Sequence, residues 1–88
     1  MNMVDTIERK LAAAFAPSEL AVVDESAHHQ GHAGHRPGGE SHFSVRIVSS
    51  AFAGLSRVER QRRVYAALAD EMKSQIHALA LTTLAPGE

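Results

Sequence analysis

The clearest secondary-structure pattern in the chain lies at His42-Phe43-Ser44-Val45-Arg46-Ile47-Val48. Apolar and polar side chains alternate along it, so that Phe43, Val45 and Ile47 point one way and the residues between them point the other. Successive side chains of an extended chain project to opposite faces, and a period of two therefore indicates a β-strand. We predict a strand that is covered on one face.

A helix and a final strand are predicted after this stretch. Ser56 and Glu59 form a capping box, in which each side chain satisfies a free amide at the start of a helix. The helix is predicted to continue to about Lys73. Its buried stripe, at helical spacing, is expected to comprise Val58, Tyr65, Leu68 and Met72. Residues 76–84 are then predicted to form the last strand, with a short tail at 85–88.

A first helix and a first strand are predicted before this stretch. Residues 4–15 carry the apolar stripe of a helix that is buried on one side, made of Ile7, Leu11, Ala14 and Phe15. Asp5 is expected to cap the start of this helix, and Pro17 is expected to prevent its continuation. A short apolar run at 20–23 indicates a strand, and residues 27–41 form a loop rich in histidine and glycine.

The order of the elements is helix, strand, strand, helix, strand, which predicts one α+β domain over 1–88. The first two strands can pair antiparallel, whereas the second and third are separated by a helix and resemble a parallel crossover unit. We therefore expect a three-stranded mixed sheet with the helices packed on one face. Parallel strands begin at the same edge, so His42 and His77, which open the second and third strands, should lie together where the histidine loop ends.

Composition narrows the class of protein. The chain is 44% apolar and 22% charged, as in ordinary globular domains. It has no cysteine, which excludes disulfides and thiolate ligands of its own and fits a reducing cytoplasm. The net charge of −1 argues against a protein that coats nucleic acid. No signal peptide or membrane span is recognisable. We find no nucleophile elbow, paired-carboxylate pattern or phosphate-binding motif, and we predict a cytoplasmic protein that is not an enzyme.

Histidine is concentrated in one place. Five of the six histidines lie between His28 and His42, and the sixth, His77, stands alone. Imidazole is the commonest metal ligand and titrates near neutrality, so such a loop indicates binding of a metal, a proton or a phosphate. A repeat of histidine at every third position of the loop could also chelate zinc or nickel adventitiously. The alternatives to metal binding are structural. His42 could be a surface residue of the strand that is hydrogen-bonded nearby, and His77 could lie at a hinge between helix and strand with its imidazole hydrogen-bonded.

Five blocks of the sequence are familiar in combination. They are Val23-Asp24-Glu25-Ser26, Gly39-Glu40-Ser41-His42-Phe43, Val48-Ser49-Ser50-Ala51-Phe52-Ala53-Gly54-Leu55-Ser56, Arg60-Gln61-Arg62-Arg63-Val64-Tyr65 and Ile76-His77-Ala78-Leu79-Ala80-Leu81. In this order and spacing they resemble the BolA family, from the first helix to Leu84. The resemblance implies a fold related to the type II KH domain and a monothiol glutaredoxin partner in iron–sulfur and iron handling. Gln61 departs from the family's usual Arg-His-Arg pattern.

The resemblance also implies a set of metal ligands. Its two ligands to a shared [2Fe–2S] cluster would be His77 and a loop histidine, with His29 at the matching position and His32 as the alternate. Two imidazoles on one iron raise the reduction potential of such a cluster relative to all-thiolate ligation. Since this chain has no thiol, the sulfur ligands would come from the glutaredoxin and its glutathione. No cofactor is expected on the chain alone.

The second candidate site is a basic helix. Arg57, Arg60, Arg62 and Arg63 are four of the nine lysines and arginines in the chain. They could face DNA phosphates, and the family includes DNA-binding transcriptional regulators, so a regulator of stress response and morphology is the alternative function. The alternative to DNA binding is a solvated helix face, which could also be the face that docks a glutaredoxin. A KH-type Gly-x-x-Gly clamp is not expected, because residues 49–56 contain only Gly54.

Overall fold

The computed structural model describes residues 2–25 and 42–88. The predicted loop ligands His29 and His32 therefore lie outside the described residues. The elements, in chain order, are α1 (Met3–Phe15), β1 (Glu19–Asp24), β2 (His42–Val48), a short 3-10 helix (Ser50–Phe52), α2 (Arg57–Ala67), α3 (Ala69–Ser74) and β3 (Ala78–Leu84). Within those ranges, no helix has the length and hydrophobicity needed to cross a membrane.

The three strands form one mixed sheet in the order β1-β2-β3. β2 pairs antiparallel with β1, so that Glu19 lies opposite Val48. It pairs parallel with β3, so that His42 lies opposite Ala78 at one end and Val48 lies opposite Leu84 at the other. The predicted topology is confirmed, and the central strand has the predicted bounds.

The helices cover one face of this sheet. Phe43, Val45 and Ile47 of β2 are buried, as their alternation predicts, and they pack with Ile7 and Leu11 of α1. The remaining buried members of this core are Met3, Phe52, Val64, Leu68, Ile76 and Ala85. No described helix lies on the opposite face of the sheet, and the predicted α+β architecture with helices on one face is confirmed.

The start of α1 differs from the prediction. Asn2, not Asp5, is the N-cap, because its side-chain oxygen accepts a hydrogen bond from the Asp5 amide at 2.9 Å. Asparagine is among the best N-capping residues, and Asp5 then contributes its negative charge to the first turn. The helix ends at Phe15, and its C-cap residue Ala16 has a left-handed conformation with φ 44°, directly before Pro17.

The single helix predicted up to Lys73 is divided in two at Leu68. The Leu68 amide donates to the carbonyls of both Val64 and Tyr65, and its φ and ψ of −108° and 21° leave the helical region. Ser56 caps α2 as predicted, since its hydroxyl accepts from the Glu59 amide at 3.1 Å.

The predicted stripe of α2 is wrong at two positions. Val58 is 58% exposed and Tyr65 is 38% exposed, whereas Arg60, Val64 and Leu68 are buried. Leu68 belongs to two possible stripes of the helix. One stripe contains Val58 and Tyr65, and the other contains Arg60 and Val64. The chain buries the second stripe because the Arg60 side chain finds hydrogen-bond partners inside, as described below.

Matched valine substitutions test which side of α2 is buried. Val64→Ala should lower the free energy of unfolding by about 2 kcal/mol, since it removes two buried methyl groups and leaves a cavity. Val58→Ala should change it by less than about 0.5 kcal/mol, because this side chain is largely in water. Urea denaturation of both variants measures the difference, and equal losses would contradict the burial described here.

Candidate functional site

His77 lies between α3 and β3, and its side chain is exposed. It precedes Ala78, the first residue of β3, and Ala78 lies opposite His42 in the sheet. The last strand thus begins two residues later than predicted, but the expected neighbourhood of His42 and His77 at one edge is confirmed. The parallel register brings the two residues together although they are 35 positions apart along the chain.

The backbone on both sides of His77 is held in place. The Glu71 carbonyl accepts hydrogen bonds from the Gln75 amide at 2.8 Å and from the Ile76 amide at 2.9 Å. Ile76 is buried in the core, and Ala78 joins the sheet. Because the residues before and after it are fixed, His77 presents its imidazole to solvent from an ordered position.

His42 and His77 are the described histidines at this edge, where β1 also ends with Asp24 opposite Phe43. His42 is half-buried at the start of β2, where the histidine loop ends. Among residues 2–25 and 42–88, no group of three or more histidine or acidic side chains is arranged to hold a metal ion. The described residues therefore contribute to a metal centre only in combination with other donors, and the assignments of His77, His29 and His32 as ligands stay predictions.

The arginines of the basic helix have unequal surroundings. Arg57 is exposed at the first position of α2. Arg62 and Arg63 have side chains that are largely in water, at 3.7 Å and 3.5 Å from the Glu59 carboxylate. These three residues form the exposed arginine face of α2. The nearby carboxylate offsets part of its positive charge.

Arg60 does not belong to the exposed arginine face. It is only 9% exposed, and its Nε donates to the Leu55 carbonyl at 3.0 Å. Its Nη1 donates to the Thr83 carbonyl at 3.2 Å, and both terminal nitrogens donate to the Glu88 carboxylate at 2.5 and 2.8 Å. The same carboxylate accepts from the Ala85 amide at 3.0 Å. Arg60 thus ties α2 to the end of β3 and the tail.

Arg60 was grouped with the other three arginines because its partners are not visible in the local sequence. All four follow the Ser56 cap, and the Glu88 partner is 28 positions further along the chain. The one local signal was the spacing of four residues from Arg60 to Val64 and again to Leu68, which follows a buried stripe.

The hydrogen bonds from Arg60, then the one from the Ala85 amide, lower the pKa of Glu88 to about 2 against the opposing effect of burial. The bond to Glu88 in turn raises the pKa of Arg60 above its usual value.

The fold and the two sites define an α+β domain with a histidine edge and an arginine helix. The family model for BolA-like proteins matches residues 11–88. An uncharacterized Sinorhizobium protein from the cobS 5′ region is 53% identical over 92 residues, covering 100% of this chain and 96% of that protein. The chain belongs to the BolA-like family.

Two further likenesses agree with this assignment. The DNA-binding transcriptional regulator BolA of Escherichia coli is 47% identical over 83 residues, covering 94% of this chain and 75% of the regulator. The solved structure of BolA1 from Arabidopsis thaliana superposes with a TM-score of 0.87 at 39% identity, covering 98% of this chain and 94% of that one. The family resemblance and the α+β fold expected from the sequence are thereby confirmed.

The lowered pKa of Glu88 predicts an acid-dependent contribution to stability. The pKa of Glu88 has its ordinary value of 4.5 in the unfolded chain and is lowered to about 2 in the folded chain. The Arg60–Glu88 contribution should therefore be complete above about pH 4.5 and should disappear as the pH falls to about 2. Urea melts should show Glu88→Gln to be less stable than the native chain at neutral pH, with the gap closing at acid pH.

The exposed ion pair of Glu19 with Arg46, 2.5 Å apart, provides the matched control. Glu19→Gln should change stability little at any pH, because exposed pairs contribute little. A stability gap for Glu88→Gln that stays constant with pH would contradict the ion pair described here.

Proposed function

We propose that this chain binds a monothiol glutaredoxin in the cytoplasm and co-ligates or transfers a [2Fe–2S] cluster. One observation carries the proposal. The exposed imidazole of His77 stands next to the residue that pairs with His42, at the sheet edge where the histidine loop ends. Membership of the BolA-like family supports the proposal, because resemblance to this family implies a monothiol glutaredoxin partner and a shared iron–sulfur cluster.

The chemistry of the donors fits a shared cluster. Imidazole can replace thiolate on one iron of a [2Fe–2S] cluster. The chain has six histidines and no cysteine, so it can supply nitrogen ligands but no thiolate. The partner and its glutathione would supply the thiolates. We assign His77 as the ligand from the sheet edge and His29 as the loop ligand, with His32 as the alternate.

The surroundings of His77 suit a ligand that is offered to another protein. Its side chain is exposed, while Ile76 and Ala78 on either side are fixed by the core and the sheet. A fixed backbone lowers the entropy lost when a partner's cluster is bound. An exposed imidazole can reach a cluster that sits on the partner's surface. The role is therefore binding and transfer, with no catalytic step assigned to this chain.

Titration with a cluster-loaded monothiol glutaredoxin tests this function. The native chain should change the visible absorption and circular dichroism of the cluster, because imidazole enters the iron coordination shell. His77→Ala should abolish the change. His29→Ala should weaken it, and His35→Ala should leave it intact as a matched histidine control. An unchanged spectrum with the native chain, or native behaviour of His77→Ala, would overturn the proposal.

A second function is favoured by a specific observation. The Escherichia coli relative bears the name of a DNA-binding transcriptional regulator. The exposed arginine face of Arg57, Arg62 and Arg63 is the part of this chain that could contact phosphates. We infer as the alternative a regulator of stress response and morphology that binds DNA through this face. Arg60 is left out because it is buried against Glu88.

Salt-dependent binding to promoter DNA distinguishes this alternative. Each phosphate contact contributes about 0.9 to the slope of log affinity against log salt. The double variant Arg62→Gln/Arg63→Gln should therefore lower that slope by about 2. Arg46→Gln, which removes a charge from the face of the sheet opposite the helices, should leave it unchanged. Native DNA affinity in the double variant would exclude the arginine face as the contact surface.

A further inference from the structure

The helix that leads into His77 is too short to be stable by itself. α3 has six residues, Ala69–Ser74, and its N-cap residue Leu68 makes no side-chain capping bond. Isolated helices of fewer than about 12 residues are marginal in water, because nucleation costs more than a few hydrogen bonds return. The position of α3, and of the residues that follow it, therefore depends on contacts with other elements.

An ion pair joins α3 to α1. The Lys10 Nζ lies 2.7 Å from Glu71 Oε2 and donates to Oε1 at 3.0 Å, so that the ammonium group contacts both carboxylate oxygens. The Glu71 side chain is only 10% exposed, and that of Lys10 is 37% exposed. A pair that is partly withdrawn from water interacts more strongly than a fully exposed one. It holds the middle of α3 against α1, which is itself anchored in the core by Ile7 and Leu11.

Glu71 also accepts the backbone hydrogen bonds at the C-terminal end of α3. The backbone carbonyl of Glu71 accepts from both the Gln75 and the Ile76 amides, directly before His77. The side chain of Glu71 therefore faces Lys10 while its carbonyl ends the helix. Glu71 is thus joined by one hydrogen bond each to Gln75 and Ile76, the two residues that precede His77.

We propose that Lys10 and Glu71 are positioning residues for His77 as a cluster ligand. This inference rests on the proposed function, because it concerns how the ligand is held. The ion pair fixes α3, the Glu71 carbonyl fixes Gln75 and Ile76, and His77 is presented in one arrangement. Ligands held by a supporting set of contacts bind with a smaller loss of conformational freedom.

Two single variants and a double variant test the positioning role. Lys10→Met and Glu71→Gln remove the ion pair while keeping side chains of similar size. In the chain alone, the NMR order parameter of the His77 amide should fall from the rigid value of about 0.85 in both variants. The charge swap Lys10→Glu/Glu71→Lys should restore it. Lys73→Met, the same type of change at an exposed position of α3, is the matched control.

The cluster provides the second readout. Both single variants should raise the Kd for cluster-loaded glutaredoxin about fivefold and leave the Kd for the apo-glutaredoxin unchanged. Native order parameters and native affinity in both variants would overturn the positioning role. If His77→Ala binds the cluster-loaded partner like the native chain, the proposed function fails, whereas the order parameters still test how His77 is held. If one single variant does not fold, the other single variant, compared with Lys73→Met, decides the same question.

Discussion

The structure depends on the parallel pairing of β2 with β3. Two parallel strands cannot be joined by a tight turn, so the chain must return across the sheet before the second strand begins. Here α2 and α3 form that crossover, and they cover the face on which Phe43, Val45 and Ile47 lie. The same constraint makes both strands start at one edge. His42 and His77 are neighbours because of this topology, and not because of any local motif.

The division of the crossover at Leu68 has consequences at both of its ends. At the α2 end, the core accepts Arg60 because Leu55, Thr83 and Glu88 satisfy its guanidinium group. A buried charge without such partners would be strongly destabilising. At the α3 end, the short helix relies on Lys10 and closes through the Glu71 carbonyl. Polar contacts between distant parts of the chain thus add to the buried apolar contacts of Val64, Leu68 and Ile76 in holding these two segments.

The two candidate sites lie on different parts of the domain and have different chemistry. The histidine edge offers nitrogen ligands and the chain has no thiol, so a cluster bound there would be shared with a thiol-bearing partner. The exposed arginine face of α2 offers positive charge, part of which Glu59 offsets. The removal of Arg60 from that face leaves three arginines for contact with phosphates, which weakens the DNA-binding alternative relative to the cluster-binding proposal.

Elements whose signals are local could be predicted directly from the amino-acid sequence. The alternation in β2 predicted its bounds, the Ser56 cap predicted the start of α2, and the crossover rule predicted the shared edge of His42 and His77. These features follow from side-chain periodicity and chain connectivity, which a sequence displays directly. The buried stripe of α2, in contrast, is known only from the packing of the folded chain. Two stripes of similar spacing share Leu68, and Arg60 could be assigned to the inner one only once its partner Glu88, far along the chain, was known.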